Sequence, residues 1–267
     1  MEKQPETRNC RCRLCGELFF DNEMSEEHYP ARSTGNNDIV KINLMDIFDP
    51  AKGKTMLEKV QKRCADGEEL LDAISKVFDD DYAIPAYPKG RTARTLCKRC
   101  NTFLGVYDAA YLRFFSVGGD PQKVKGYQQQ TKLQIIKALY AKFLSIPEAL
   151  HEEFDFIDFI KDPNKSEYSG KWRLYFVKRT LESETLFFGD IGTGKATFDE
   201  GVVYELADNK FIFNLLNFEK HADYPMTDIF DILHKSYSIV EGLGENGGYH
   251  AGIIIPRLLS DLGKEQI

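Results

Sequence analysis

Residues 12–15 (CRLC) and residues 97–100 (CKRC) form two short cysteine pairs, and these pairs constrain how the chain can fold. The two residues between the cysteines of each pair allow a tight turn that points both sulfurs at one ion. A single pair would equally fit a redox motif, but two pairs supply the four sulfurs of a tetrahedral site. We therefore predict a structural Zn²⁺ whose ligands are Cys12, Cys15, Cys97 and Cys100.

The chain has two further cysteines, which fit the zinc site less well. Cys10 lies near the first pair, but its one-residue gap to Cys12 is a poor spacing for a shared ion. Cys64 is predicted to be a buried apolar residue. A disulfide framework is not expected, because the chain is too long for a mini-protein and the first ten residues (MEKQPETRNC) contain no apolar export signal.

Length and composition limit the class of protein. The chain has 267 residues, of which 42% are hydrophobic, so it can bury a sizeable core in one large domain or two. No stretch approaches the roughly 20 apolar residues of a membrane helix. These features exclude a membrane-spanning or wholly disordered protein, and we expect a cytoplasmic one.

Charge is distributed unevenly along the chain. The net charge is −7, yet residues 85–130 carry 8 Lys and Arg against 2 Asp and Glu. A local basic island can attract phosphate groups even on an acidic protein, although an ordinary solvated face is equally compatible with it. The residues expected to contact nucleic acid are Arg91, Arg94, Lys98 and Arg99.

Periodicity and turn residues predict helices and strands in both halves of the chain. The helical segments are 55–65, 68–79, the run that follows Cys100, and 129–145. Strands are expected at 18–20, 24–29 and in the β-rich segments 172–180, 185–190, 201–207 and 210–218. Residues 81–95 read as a loop because of Pro85, Pro88 and Gly90. A domain boundary is predicted near residue 120.

Residues 25–30 (SEEHYP) lie between the two cysteine pairs, and residues 97–101 read CKRCN. Together with CRLC, these elements resemble the HNH nucleases, the ββα-metal family, and most closely their cysteine-rich branch. That branch has Cys-x-x-Cys, then Asp/Glu-His-x-x-Pro, then Cys-x-x-Cys-Asn; here the proline follows one residue earlier. The resemblance covers roughly residues 10–115.

The resemblance implies roles for individual residues. Glu27 and Asn101 would hold a catalytic Mg²⁺ or Mn²⁺, for which carboxylate and amide oxygens are suitable ligands, and His28 would be the general base. Asp108 lies two helical turns after Asn101 and could face the same ion, but a solvated helix carboxylate is the alternative. The zinc would be structural only. The middle Asn or His that orients the base has three candidates: Asn36, Asn37 and Asn43.

Other motifs in the sequence give weaker support for a functional site. Residues 189–196 (GDIGTGKA) imitate a phosphate-binding loop, but Ala196 replaces the required Ser or Thr, so a hairpin turn is predicted there. The remaining histidines have no ligand spacing and are expected to be surface or structural residues: His151, His221, His234 and His250.

The sequence thus predicts an α+β protein in which a zinc-stapled ββα-metal nuclease domain with a helical insertion (1–120) precedes a mixed α/β accessory domain (121–267). The expected function is metal-dependent hydrolysis of phosphodiester bonds, with DNA the favoured substrate and phage defence a plausible setting. The alternative is a zinc-stapled nucleic-acid-binding module that does not cut. The accessory domain could bind a ligand, another protein or a second copy of the chain.

Overall fold

The computed structural model describes residues 9–42, 46, 49–179, 191–219 and 224–242. It contains both helices and antiparallel sheets, so the predicted α+β class is confirmed at that level. The helices are α1 (Pro50–Ala65), α2 (Leu70–Asp81), α3 (Lys98–Ser116), α4 (Pro121–Val124), α5 (Gln129–Lys142) and α6 (Ile157–Lys161). The strands are β1 (Cys10–Arg11), β2 (Leu18–Phe19), β3 (Met24–His28), β4 (Ile39–Ile42), β5 (Ala83–Tyr87), β6 (Thr92–Cys97), β7 (Arg173–Lys178), β8 (Gly192–Phe198), β9 (Gly201–Ala207), β10 (Phe211–Leu216) and β11 (Thr227–Asp228).

The chain divides into two compact units. Within the described residues, the first unit comprises 9–36 and 91–242, and the second comprises 37–90. The predicted boundary at residue 120 falls inside the first unit, whose main core includes Phe114 before that point and Ile135 after it. A division into nuclease-like and accessory parts therefore stays a prediction about function.

A strand–strand–helix arrangement lies at the centre of the first unit. Strand β3 pairs antiparallel with β6, with Met24 opposite Cys97 and His28 opposite Thr92. The register shifts between Ser25 and Glu27, which indicates a local bulge. Strand β6 leads directly into α3, so the predicted strand at 24–29 and the predicted helix after Cys100 are confirmed.

Helix α3 is amphipathic, and its apolar side faces the core. Its buried residues include Leu104, Tyr107, Tyr111 and Phe114, whose spacings of three and four residues mark one face of a helix. Helix α5 confirms the predicted helical segment 129–145 and packs against α3, contributing Ile135, Ile136 and Leu139 to the same core.

A five-stranded antiparallel sheet, in the order β11-β7-β10-β9-β8, covers this core. Every residue of β10 is buried, because one face of the sheet packs on the main core and the other on a smaller cluster around Val177 and Ile212. The predicted β-rich segments 172–180, 201–207 and 210–218 correspond to β7, β9 and β10, and 185–190 lies outside the described residues. The hairpin turn predicted at 189–196 is wrong for residues 192–196, which lie in β8.

The second unit contains a helical hairpin and a two-stranded sheet. Helices α1 and α2 confirm the helical segments predicted at 55–65 and 68–79, and they pack around Val60, Ala73 and Val77. The loop predicted over 81–95 is wrong: β5 pairs with β4, and β6 pairs with β3. Pro85 is tolerated in β5 because each strand of a two-stranded sheet keeps one unpaired edge.

The turn between β9 and β10 is fixed by a buried aspartate in the first unit. The Oδ1 of Asp208 accepts the backbone N–H groups of Lys210 and Phe211 at 2.9 and 2.8 Å, and the Tyr111 hydroxyl donates to its other oxygen. The next residue, Asn209, donates its backbone N–H to the carbonyl of Thr34 at 3.1 Å. Burial raises the pKa of Asp208 from 3.8 to about 6.

Asp208→Asn is expected to change how stability depends on pH. The pKa of Asp208 is higher in the folded state than in the unfolded state. Wild-type stability therefore falls as the pH rises from 3.8 through about 6. The difference in unfolding free energy, wild type minus variant, should decrease by about 2 kcal/mol between pH 4 and pH 7. Urea unfolding measures it, with the exposed Asp199→Asn as control. A pH-independent difference would contradict the assignment.

Candidate metal centres and the strand–helix site

The four cysteines of the two pairs come together in the first unit. The Sγ atoms of Cys12, Cys15, Cys97 and Cys100 all lie within 4.8 Å of one another, and none of these residues is in a disulfide. Three of the four are buried, and Cys15 is half-buried. This confirms that the predicted residues form a cluster that could hold a metal ion, and an all-sulfur donor set is suited to zinc.

Backbone hydrogen bonds shape both cysteine turns. The N–H of Cys97 donates to the Cys12 sulfur at 3.3 Å, and the N–H of Cys100 donates to the Cys97 sulfur at 3.4 Å. Gly16 closes the first turn with a positive φ of 80° and donates to the Cys12 carbonyl. The second turn is also the start of α3, since the Cys97 sulfur caps the helix. The cysteine cluster and the start of α3 therefore share two residues, Cys97 and Cys100.

The surroundings of Cys100 disfavour ionisation of its thiol. Burial, together with the neighbouring Cys97 and Cys12 sulfurs, raises the pKa of the Cys100 thiol well above its usual value. A divalent cation reverses this preference, because metal binding stabilises the thiolate form. Such a cluster is therefore expected to gain much of its stability from a bound ion.

The two remaining cysteines do not belong to the cluster. Cys10 contacts the side chain of Asn9 at 3.4 Å, and Cys64 packs against the small core of the second unit. Cys10 thus lies outside the cluster, as its spacing suggests, whereas Cys64 is half-buried and not fully buried as predicted.

Cys97→Ser is expected to abolish zinc binding and lower the thermal midpoint strongly, because metal-binding energy contributes directly to folding. Cys10→Ser is the matched control, since Cys10 lies two residues from a ligand yet outside the cluster. Elemental analysis should find about one zinc per chain in wild type and in the control. A folded Cys97→Ser protein that retains zinc would contradict the ligand set.

The residues of the HNH-like motif lie on β3 and at the start of α3. Asn101 is in the first turn of α3, and its Nδ2 donates to the Oγ of Ser25 on β3 at 2.7 Å. This bond uses the amide nitrogen, so the side-chain Oδ1 of Asn101 is the atom that could bind a cation. His28 is the last residue of β3 and is half-buried. Residues distant in sequence are thus joined by a direct contact between strand and helix.

Glu27 points inward and is paired with a lysine. It is 7% exposed, and its Oε1 accepts from the Nζ of Lys142 at the end of α5. The same Nζ contacts the Oδ2 of Asp108 at 3.1 Å. Burial alone would lower the pKa of Lys142, but the carboxylates of Asp108 and Glu27 outweigh burial and raise it. Lys142 is therefore a permanent cation between two carboxylates.

No second cluster of three His, Cys, Asp or Glu ligand atoms forms within the part of the chain that the structure describes. The carboxylates of Glu27 and Asp108 are brought together by Lys142, and Asn101 supplies an amide oxygen from the same helix as Asp108. Oxygen donors of this kind fit Mg²⁺ or Mn²⁺, with water completing the coordination shell.

Asn36 stabilises the loop that follows β3. It is fully buried, and its Nδ2 donates to the carbonyls of Pro30 and Arg91 at 2.7 and 2.9 Å. Its Oδ1 accepts the backbone N–H of Arg91 at 2.6 Å. Three asparagines are candidates for the middle Asn or His of the HNH-like motif. Asn36 holds this loop, whereas Asn37 is exposed and contacts Asp38. Asn43 lies outside the described residues.

Asn36→Ala is expected to lower the unfolding free energy by about 2–4 kcal/mol, since one backbone group of Pro30 and two of the half-buried Arg91 lose their partner. Asn37→Ala removes an exposed neighbouring amide and should change stability by less than about 0.5 kcal/mol. Denaturant unfolding of both variants provides the comparison. Equal stability of the two proteins would contradict the role of Asn36.

The four basic residues predicted to contact nucleic acid lie between the residue before β6 and the first turn of α3. Arg94 pairs with Asp21, and Arg99 contacts Glu17 at 3.0 Å; both pairs are exposed. Exposed ion pairs contribute little free energy, so a phosphate could compete for these guanidinium groups. Lys98 is exposed and has no carboxylate partner among the described residues, and Arg91 is half-buried.

Two residues were missed at the sequence level. Arg13, between Cys12 and Cys15, donates to the carbonyls of Leu144 and Glu152 at 2.8 and 2.7 Å and so ties the first cysteine turn to the segment after α5. Lys142 was missed as the partner of Glu27. Its signal was a charged residue in the apolar run around ALYAKFLSI, where a charge needs a partner if it is buried.

The other histidines fall at unrelated places. His151 is exposed, and His234 lies 3.8 Å from Asp231. His221 and His250 lie outside the described residues.

Comparison with known proteins returned no family model, curated protein or solved structure that matches this chain. Among the described residues, no helix combines the length and apolar character needed to cross a membrane.

Proposed function

We propose that this protein is a metal-dependent endonuclease of the HNH type, with a structural zinc and a catalytic Mg²⁺ or Mn²⁺. The observation that carries the proposal is the hydrogen bond from Asn101 on α3 to Ser25 on β3, two residues before Glu27 and three before His28. It supports a single site built from the three elements of the motif. The proposal takes the α+β fold to contain a ββα-metal domain formed by β3, β6 and α3.

The residues present have chemistry suited to phosphodiester hydrolysis. Glu27, Asn101 and Asp108 would hold the catalytic ion, which when bound would stabilise charge on the phosphate and on the leaving oxygen. His28, at the end of β3, would accept the proton of the attacking water, since an imidazole can exchange a proton near neutral pH. The cysteine-bound zinc would hold β6 and the start of α3 in place without taking part in the reaction.

The proposed substrate is nucleic acid, with DNA favoured. Lys98 and Arg99 are exposed in the first turn of α3, three and two residues before Asn101, and Arg94 is exposed on β6. Cations beside a hydrolytic site would hold the phosphate backbone with little dependence on base sequence.

The second candidate function is a zinc-stapled nucleic-acid-binding module that does not cut. The contact between Lys142 and Glu27 favours it, because a carboxylate already paired with an ammonium also fits a purely structural role. Both candidates share the zinc site and the basic surface, so only a measurement of cleavage separates them.

The deciding experiment incubates the zinc-loaded protein with plasmid, single-stranded DNA and RNA, either without a further divalent ion or with added Mg²⁺ or Mn²⁺. Wild type should cleave at least one substrate in a metal-dependent way. His28→Ala should lower the rate by roughly 10²–10⁴-fold with nearly unchanged nucleic-acid affinity, since proton abstraction is needed only in the transition state.

His151→Ala is the matched control, because it removes an exposed histidine that is not part of β3 or α3. It should retain wild-type rates. Metal-independent cleavage, or wild-type rates in a folded His28→Ala protein, would overturn the mechanism. Binding without cleavage of any substrate would favour the second candidate.

A further inference from the structure

Lys142 lies at the point where three elements of the first unit meet. It is the last residue of α5, its side chain is 7% exposed, and its Nζ contacts Glu27 on β3 and Asp108 on α3. A desolvated ammonium is unfavourable unless it is paired. Here one ammonium faces two carboxylates, so the group of three carries a net charge of −1.

The backbone next to Lys142 is anchored from two sides. Arg13 of the first cysteine turn donates to the carbonyl of Leu144 at 2.8 Å, and the hydroxyls of Ser145 and Thr95 lie 2.8 Å apart. Thr95 belongs to β6, which also pairs with β3. Because its helix end is held in this way, Lys142 cannot readily withdraw from the carboxylates.

Burial of a lysine on α5 does not by itself require two acids. Lys137, on the same helix, is 1% exposed, and its Nζ donates to the backbone carbonyl of Asp162 at 2.6 Å while lying 4.9 Å from the Phe159 ring. The pairing of Lys142 with two side-chain carboxylates is therefore specific to its position.

Each carboxylate offers a second oxygen beyond the one that Lys142 contacts. Lys142 touches the Oε1 of Glu27 and the Oδ2 of Asp108, which leaves Glu27 Oε2 and Asp108 Oδ1 as possible ligands. A divalent cation on these oxygens would lie near a fixed positive charge. The ammonium would oppose the cation while holding both carboxylates in place.

We propose that Lys142 is a built-in counter-ion of the site formed by Glu27 and Asp108: a positioning residue that orients both carboxylates and weakens the binding of a divalent cation. The inference rests on the proposed function, because it takes these carboxylates to be cation ligands.

The test measures Mn²⁺ binding to the zinc-loaded full chain by calorimetry, with the zinc content checked in every sample. Lys142→Met removes the charge and keeps the approximate volume of the side chain. It should bind Mn²⁺ at least about tenfold more tightly than wild type, because the opposing charge is gone. Its thermal midpoint should be lower without Mn²⁺ and should rise more on Mn²⁺ addition.

Lys137→Met is the matched control, since it removes another buried lysine from the same helix without touching a carboxylate. It should bind Mn²⁺ as wild type does. If Lys142 had only a structural role, Lys142→Met would bind Mn²⁺ no more tightly than wild type. That result would overturn the proposal.

A second measurement needs no substitution at Lys142. In ¹⁵N-lysine-labelled wild type, titration with Mg²⁺ should shift the ammonium resonance of Lys142 and leave that of Lys137 unchanged. Asp108→Asn should weaken Mn²⁺ binding with Lys142 present. Mg²⁺ binding that leaves the Lys142 resonance unmoved would overturn the proposal even if Lys142→Met did not fold.

Failure of this inference is distinguishable from failure of the proposed function. A wild type that cleaves nucleic acid, with no tighter Mn²⁺ binding in Lys142→Met, overturns the counter-ion role alone. A wild type that does not cleave, with tighter Mn²⁺ binding in Lys142→Met, leaves the counter-ion role intact and overturns the nuclease. Absence of Mn²⁺ binding in both proteins overturns the counter-ion role and the proposed catalytic ion together.

Discussion

Convergence of four sulfurs is the constraint on which the rest of the first unit depends. It joins the segment before β2 to the junction of β6 and α3, and the Cys97 sulfur both belongs to the cluster and caps α3. Arg13 extends the constraint, because it binds two carbonyls beyond the end of α5. A shift in the first cysteine turn would therefore move the start of α3 and the end of α5 together. Those two helix ends carry Asn101 and Lys142.

The buried charges near β3 have a different function from the apolar core. A buried ion pair contributes little net stability, because desolvation offsets most of the attraction, and apolar residues of equal volume would serve as well. What Lys142 adds is a defined direction for Glu27 and Asp108, each held by a contact to the same Nζ. Such fixed carboxylates suit a site that must present oxygen atoms in one geometry. The aromatic core between α3 and the sheet, including Phe114, Phe176 and Phe211, supplies the stability that this arrangement does not.

Local patterns predicted local features well and long-range contacts poorly. Cysteine spacing predicted the members of the cysteine cluster, and helical periodicity predicted α1, α2, α3 and α5, because the Cys-x-x-Cys spacing and the helical repeat are both patterns among residues close in sequence. The strand pairing of β5 was missed, since Pro85 argues against a strand unless the pairing partner is known. Lys142 was missed for the same reason: its partners lie on β3 and α3, and nothing in the sequence around α5 identifies them. Asn36 could be proposed only as one of three, because its burial and its bonds to Arg91 are tertiary features.

The bonds made by Asn36 explain how a long insertion can separate two strands that must pair. Residues 37–90 leave the first unit after Asn36 and return at Arg91, and the Asn36 side chain hydrogen-bonds both backbone groups of Arg91. The two ends of the insertion are thus fixed side by side, as the ends of a hairpin loop would be. Because the entropy of closing a loop grows only slowly with its length, the insertion adds little to the free-energy cost of pairing β3 with β6. The position of His28 is accordingly set by Asn36 and the strand register, and the size of the second unit has little influence on it.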